Sequence, residues 1–186
     1  LWQGPSISSA AASVLFGATE DLTTDALEVL VDAHLLESPA ADSYQLHDLL
    51  RVYAAERAVA DLPGQDRQAG IERLLQWYVS TADAAASAVS PHRYKLPLAA
   101  QSSLRFAGVE DALQWYDRER SNIVAATRQA VASGLHDIAW RLPASLFSVF
   151  NRRGNRADLL TTHRIALDSA RQAGHRDIGR ASEHAA

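Results

Sequence analysis

The chain has no cysteine and no methionine, and Lys95 is its single lysine. Without cysteine there are no disulfides and no thiolate metal ligands. With lysine confined to a proline-flanked stretch, the phosphate-cradling pattern Gly-x-x-x-x-Gly-Lys-Ser/Thr is missing, so the chain does not build that kind of nucleotide site by itself. Gly-x-Ser-x-Gly and His-Glu-x-x-His are also missing, and nothing points to an autonomous enzyme. No apolar run approaches the roughly 18 residues that suggest a membrane span, and no signal-peptide pattern opens the chain. A cytoplasmic protein with no membrane partner is the expectation. A formal charge of −4 works against a broad nucleic-acid footprint, because such binding requires many phosphates to be neutralised.

What is present is ordinary globular composition, 47% apolar and 22% charged, over 186 residues. Basic charge is almost all arginine and alanine is abundant, a bias of GC-rich bacterial genes that also favours helix. There is no initiating methionine, and the final "SEHAA" stops in mid-pattern. A piece of a longer protein is expected.

The fold class expected is mainly α, with one small β-hairpin. "SSAAASVLFG" (8–17) has a serine start and a glycine stop, the punctuation of a short helix. "TTDALEVLVDAHLL" (23–36) predicts a second, capped by Thr23 or Thr24, with Leu27, Leu30 and Val31 as its apolar stripe. "LLESPAADSYQL" (35–46) alternates on both sides of a Pro-Ala-Ala-Asp centre and reads as a hairpin. Two helices and a hairpin form the pattern of a winged helix-turn-helix module, which the helix 47–62 closes, with Leu50, Tyr53 and Ala54 on one face. Residues 65–89 form a long amphipathic helix carrying Ile71, Leu74, Leu75, Tyr78 and Val79. A connecting loop covers 90–108. Residues 109–134 predict two helices meeting near Ser121, and Pro143 kinks or breaks 135–154. The aromatics Trp77, Tyr78, Trp115, Tyr116, Trp140, Phe147 and Phe150 have core-like spacing. Charges such as Asp117 and Arg120 pair along one helix, and Arg152, Arg153 and Arg156 are solvated or meet an acidic partner. Alanines 166, 170 and 173 resemble the small contacts of tetratricopeptide helix pairs. The expected division is a winged-helix module over 1–62, a helical connecting domain over 63–154, and the start of a repeat region over 155–186.

One stretch carries chemistry: "SYQLHDLLRVYAAERA" (43–58). His47 stands at a predicted helix start, where backbone N–H groups and the helix dipole favour an anion. Asp48 lies in the first turn and Arg51 one turn beyond the histidine. A metal set of His34, His47 and Asp48 would need the hairpin to bring the two histidines together. On the residues alone, a phosphate contact and a plain capping pair beside a half-buried histidine both remain open.

The string Leu46-His47-Asp48, closing a winged-helix pattern, resembles the Met-His-Asp motif of NB-ARC ATPases, with leucine for methionine. "YQLHDLLRVYAAERA" resembles the AfsR/SARP-type bacterial transcriptional regulators of the STAND (NB-ARC) class. So do "LWQGPSIS", "VDAHLLE", "LLQWYVSTADAA", "ALQWYDRERSNIVAATRQAVASGLHDIAWRL" and "THRIALDSARQAG", in the same order, with Ser121 where relatives often carry proline. The resemblance implies the later part of an ATPase switch leading into a tetratricopeptide sensor array. It implies His47 as a contact to the β-phosphate of ADP, supported by Asp48. ADP or ATP would be the cofactor of the intact protein, with no tight binding to this piece alone. An upstream P-loop would make the intact protein a slow ATPase switch, and DNA would be met only through domains elsewhere. The repeats would take a protein or small-molecule effector, and activation would allow homo-oligomers. Two rivals stand beside it: a winged-helix DNA-binding repressor with a helical dimerisation domain, and a helical scaffold with no nucleotide link.

Overall fold

In a computed structural model, residues 2–93 and 102–174 are described; Lys95 and the segment 175–186 lie outside them. The described residues form eight helices and one two-stranded antiparallel sheet, as the mainly α expectation requires. The chain divides into two compact units, residues 1–74 and 75–186.

The first unit begins with a strap over residues 2–7, whose Ile7 makes an antiparallel bridge to Tyr44. Helix α1 (Ser9–Phe16) starts where the Ser8 hydroxyl accepts from the Ala11 N–H, and stops at Gly17 with φ 71°. That left-handed turn is open to glycine without a Cβ penalty. Helix α2 (Glu20–Asp32) starts a turn earlier than the sequence predicts and ends earlier too. Thr23 and Thr24 are not caps: their hydroxyls donate back to the carbonyls of Thr19 and Glu20. The first turn instead carries Glu20 and Asp21, which suit the positive end of the helix dipole. Of the predicted stripe Leu27 is buried, Val31 partly so, and Leu30 is exposed. His34 continues the chain at φ 59°, a conformation that usually falls to glycine.

Strands β1 (Glu37–Ala40) and β2 (Ser43–Gln45) then pair with Ala40 opposite Ser43 and Glu37 opposite Gln45, and the register shifts between those pairs. The irregularity accommodates Pro39, which has no N–H for the ladder. Asp42 makes the turn at φ 51° and its carboxylate accepts from the Ser9 N–H, 2.7 Å away. Ala12, Leu27, Leu36 and Tyr44 form the small core, with Ile7, Val31 and Leu46 packed on it. Helix α3 (Asp48–Asp61) follows, and α4 (Gly64–Val89) runs from the first unit into the second. Arg73 of α4 donates to the Val14 and Leu15 carbonyls, satisfying the end of α1. A Cβ on Gly70 would lie 2.9 Å from the Leu15 carbonyl oxygen, so close approach explains that glycine.

In the second unit α5 (Val109–Ala132) is one unbroken helix. The predicted join near Ser121 is absent because Ser121 lies on the exposed face, while Asn122, Ile123 and Ala126 continue the buried one. Pro143 does interrupt the next segment. Helix α6 (His136–Ser145) ends and α7 (Phe147–Arg153) begins around Leu146, whose N–H reaches the Pro143 carbonyl. Helix α8 (Arg156–Gln172) packs on α6, where Ala166 and Ala170 lie against the Trp140 ring. The predicted aromatics are buried except Phe147. One buried polar cluster is paired: the Tyr78 hydroxyl and the Asn122 amide both donate to Glu119, each at 2.8 Å. Burial first, and then the Glu119 charge, push the Tyr78 phenol well above its ordinary range. The expected Asp117–Arg120 pairing along α5 is replaced by bonds between helices. Arg120 pairs with Asp158 of α8, and Arg153 of α7 reaches Asp117 at 2.6 Å.

Candidate functional site at the start of α3

Leu46 leaves β2 directly into α3, so the hairpin fixes where the helix begins. His47 is the N-cap residue, with extended backbone (φ −56°, ψ 147°), and its carbonyl accepts from the Arg51 N–H. Its side chain makes no capping hydrogen bond. The first N–H groups of α3 therefore face outward without an intrahelical partner, as at any helix start. The imidazole is 74% exposed, and its Nε2 lies 2.8 Å from Glu37 Oε1 on β1. The sequence showed the helix start but not this cross-hairpin partner, because nothing in residue spacing places Glu37 opposite position 47. A half-buried packing histidine is not what the structure contains.

Asp48 is exposed, and its carboxylate makes no hydrogen bond to a described residue. It lies in the first turn as predicted, but holds no neighbouring backbone there. Arg51 is bonded elsewhere. Its guanidinium donates to the carbonyls of Gly4 (2.7 Å) and Pro5 (3.0 Å), tying the N-terminal strap to α3. His34 hydrogen-bonds the Asp32 carbonyl, and among the described residues no three His, Asp or Glu side chains are placed to share a metal.

Beside this start lies a feature that sequence reasoning missed: a half-open groove of about 470 Å³ between the strap, α2 and α3. Its walls are almost wholly apolar, with Trp2, Leu27, Leu50 and Tyr53 among them. On its floor the Tyr44 hydroxyl donates to Glu28 at 2.6 Å. That bond to a carboxylate is the main reason the Tyr44 phenol is pushed up to about 12. The signal available in sequence was the apolar periodicity of α3 beyond its inner face. Leu50 and Ala54 are half-buried, but Tyr53, assigned to the same face, is 60% exposed.

Charge is uneven as well. Residues 1–74 contain four arginines against twelve carboxylates, a formal −8, while residues 75–186 carry a formal +4. All four arginines of the first unit are engaged within it: Arg51 on the strap, Arg57 on Asp61, Arg67 on the last carbonyls of α3, and Arg73 on α1. Helix α2, which would be the groove-reading helix of a DNA-binding winged helix, bears five acids and no basic residue.

No family model and no solved structure matches the chain. Two curated proteins do. The chain is 33% identical over 178 residues to "Regulatory protein AfsR" of Streptomyces griseus, a match covering 94% of this chain and 18% of that protein. It is 35% identical over 147 residues to "Regulatory protein AfsR" of Streptomyces coelicolor, covering 72% of this chain and 14% of that one. The chain thus spans less than a fifth of the length of these relatives, and nearly all of it, His47 and the helices on both sides included, is similar to a portion of a bacterial regulatory protein.

Proposed function

We propose that this chain is the switch-and-sensor portion of a bacterial STAND-type transcriptional regulator. In this reading residues 1–62 are its winged helix, 63–154 a connecting region, and α8 the entry to tetratricopeptide-like repeats. The observation that carries the proposal is the similarity to two AfsR regulatory proteins along most of the chain. An exposed histidine at the start of α3, inside the Leu46-His47-Asp48 string, supports it. So does the close α6–α8 pairing through Ala166 and Ala170, the packing that helical repeats use.

The fit to ADP is partial. The His47 imidazole and the unpaired N–H groups of the first turn of α3 suit one phosphate oxygen. They do not make a cradle, since no arginine of the first unit is left for phosphate. The remaining phosphate ligands would come from an ATPase core outside these residues, and the chain itself is not an enzyme. In this reading Glu37 holds the ring in place, Asp48 is the exposed neighbour whose charge biases the helix start, and His47 donates to the β-phosphate in the closed state. Effectors, protein or small molecule, would meet the repeats. DNA would be met by other domains, in keeping with the acidic α2, and activation in the cytoplasm would allow homo-oligomers.

A charge-assisted hydrogen bond contributes about 2 kcal/mol, so its loss would move a closed–open ratio about thirtyfold. In the longer regulator, His47→Ala should raise basal transcription and speed ADP release, whereas His34→Ala should do neither. Wild-type ADP affinity and wild-type output in a folded His47→Ala protein would refute the assignment. Calorimetry on the present chain should show no micromolar ADP binding.

A further inference from the structure

We propose that the groove of the first unit, together with the outer face of α3, is the seat of a basic amphipathic helix from a protein partner. The proposal is independent of the nucleotide reading.

Large apolar side chains are left exposed almost entirely in one unit. Among the described residues ten of the eleven lie between Phe16 and Leu62, and only Phe147 lies elsewhere. On α3, Leu49 (86% exposed), Val52, Tyr53 and Val59 are all exposed. Together with Glu56 they stand at helical spacings of three and four, so they form one outward stripe. Tyr53 belongs to the stripe and to the wall of the groove, which makes the two surfaces continuous. The groove's rim is apolar too, with Phe16, Leu30 and Leu35 exposed along it. A contiguous apolar patch of this kind marks an interaction surface.

The pattern selects the occupant. A pocket for a small ligand closes with few, convergent polar groups, whereas here the apolar surface continues out of the groove along a helix. Ridges at i+3 and i+4 spacing are met best by the ridges of a second helix. The surrounding charge selects its composition: the two charged side chains lining the groove, Arg51 and Arg57, are bonded to the Gly4 and Pro5 carbonyls and to Asp61, and the unit around them carries a formal −8. A helix with an apolar stripe flanked by lysine or arginine matches both properties.

The test uses the whole chain and a synthetic helical peptide with leucine at core heptad positions and lysine elsewhere. A counterpart carries glutamate for each lysine. Binding is read by calorimetry and by the emission of Trp2, which lines the groove. The lysine peptide should bind and shift Trp2 emission, and its affinity should fall about tenfold or more between about 50 and about 500 mM salt. The glutamate peptide should bind at least about tenfold more weakly. The double change Leu49→Asn with Tyr53→Asn, at sites too exposed to be needed for folding, should weaken the lysine peptide about tenfold or more. Phe147→Asn should leave it unchanged. No binding, equal binding of both peptides, or full binding to the double variant would overturn the proposal. So would dimerisation of the chain abolished by the double variant, which assigns the face to a second copy. Saturable dodecanoate binding without peptide binding would assign the groove to a small apolar ligand and overturn it equally.

Discussion

The two units solve the same packing problem to different extents. Between residues 75 and 174 the helices bury Trp77, Tyr78, Trp115, Tyr116, Trp140 and Phe150 among themselves, and the ion pairs Arg120–Asp158 and Arg153–Asp117 run from helix to helix. Residues 1–74 bury a four-residue cluster around Tyr44, with Ala11, Leu15, Ile71 and Leu74 also buried, and leave α3 with Ala58 as its one buried residue. Apolar area taken from water contributes about 25 cal/mol per Å², so the second unit has the larger share of internal stabilisation. The first unit holds its parts together with directed bonds instead: an arginine on each of the strap, α1 and the end of α3, and Asp42 on Ser9. Such bonds fix geometry while contributing about 1 kcal/mol each. A surface that is held in shape but left apolar is suited to meeting something else.

The largest expected effect breaks the well-packed side. Trp140→Ala, which empties the contact with Ala166 and Ala170, should cost about 3–5 kcal/mol, read by urea denaturation. Hydrogen exchange should show α5 and α6 losing protection while α1 keeps its own. On the lean side, Gly70→Ala forces a methyl against the Leu15 carbonyl and should cost about 1–3 kcal/mol.

Acid should separate the units next. His163 is buried in α8 between Phe147 and Phe150, and its Nδ1 contacts the Leu159 carbonyl. Desolvation lowers its pKa below 6.5, so the unfolded chain takes up the proton first. The stability it allows is complete above pH 6.5 and declines as the pH falls below that value. Thermal unfolding of the second unit should lose more between pH 7 and pH 5 in the wild type than in His163→Leu.

Smaller effects sharpen the contrast. His34→Gly relieves a left-handed residue and should stabilise the first unit by about 0.5–1 kcal/mol in denaturant titrations. Leu49→Lys, on the outer stripe of α3, should change stability by less than about 0.5 kcal/mol, since the side chain is almost fully exposed.

What the sequence revealed follows the same divide between local and distant causes. The Ser8 cap, the Gly17 stop, the hairpin within 35–46 and the helix start at His47 are decided within a few residues and were legible, though Pro39, read as part of the turn, lies in β1. Thr23 and Thr24 misled because a threonine hydroxyl serves equally well as a cap or as a donor to the preceding turn. Ser121 misled because its neighbours on the buried face, not the serine, decide whether α5 continues. Glu37 beside His47, Arg51 on the strap, and Arg120 on Asp158 join residues that only the folded chain brings together. For the same reason the groove was invisible, since its walls come from four separate stretches.

The full commitment of the first unit's arginines gives the start of α3 an unusual salt response. Its carboxylates outnumber its cations by eight, so an anion approaching His47 meets net repulsion from the unit that holds it. At about 0.15 M salt the field is damped over about 8 Å, and at 1 M over about 3 Å. Counterions would therefore ease the arrival of phosphate at His47, in the opposite sense to a site lined with free lysines.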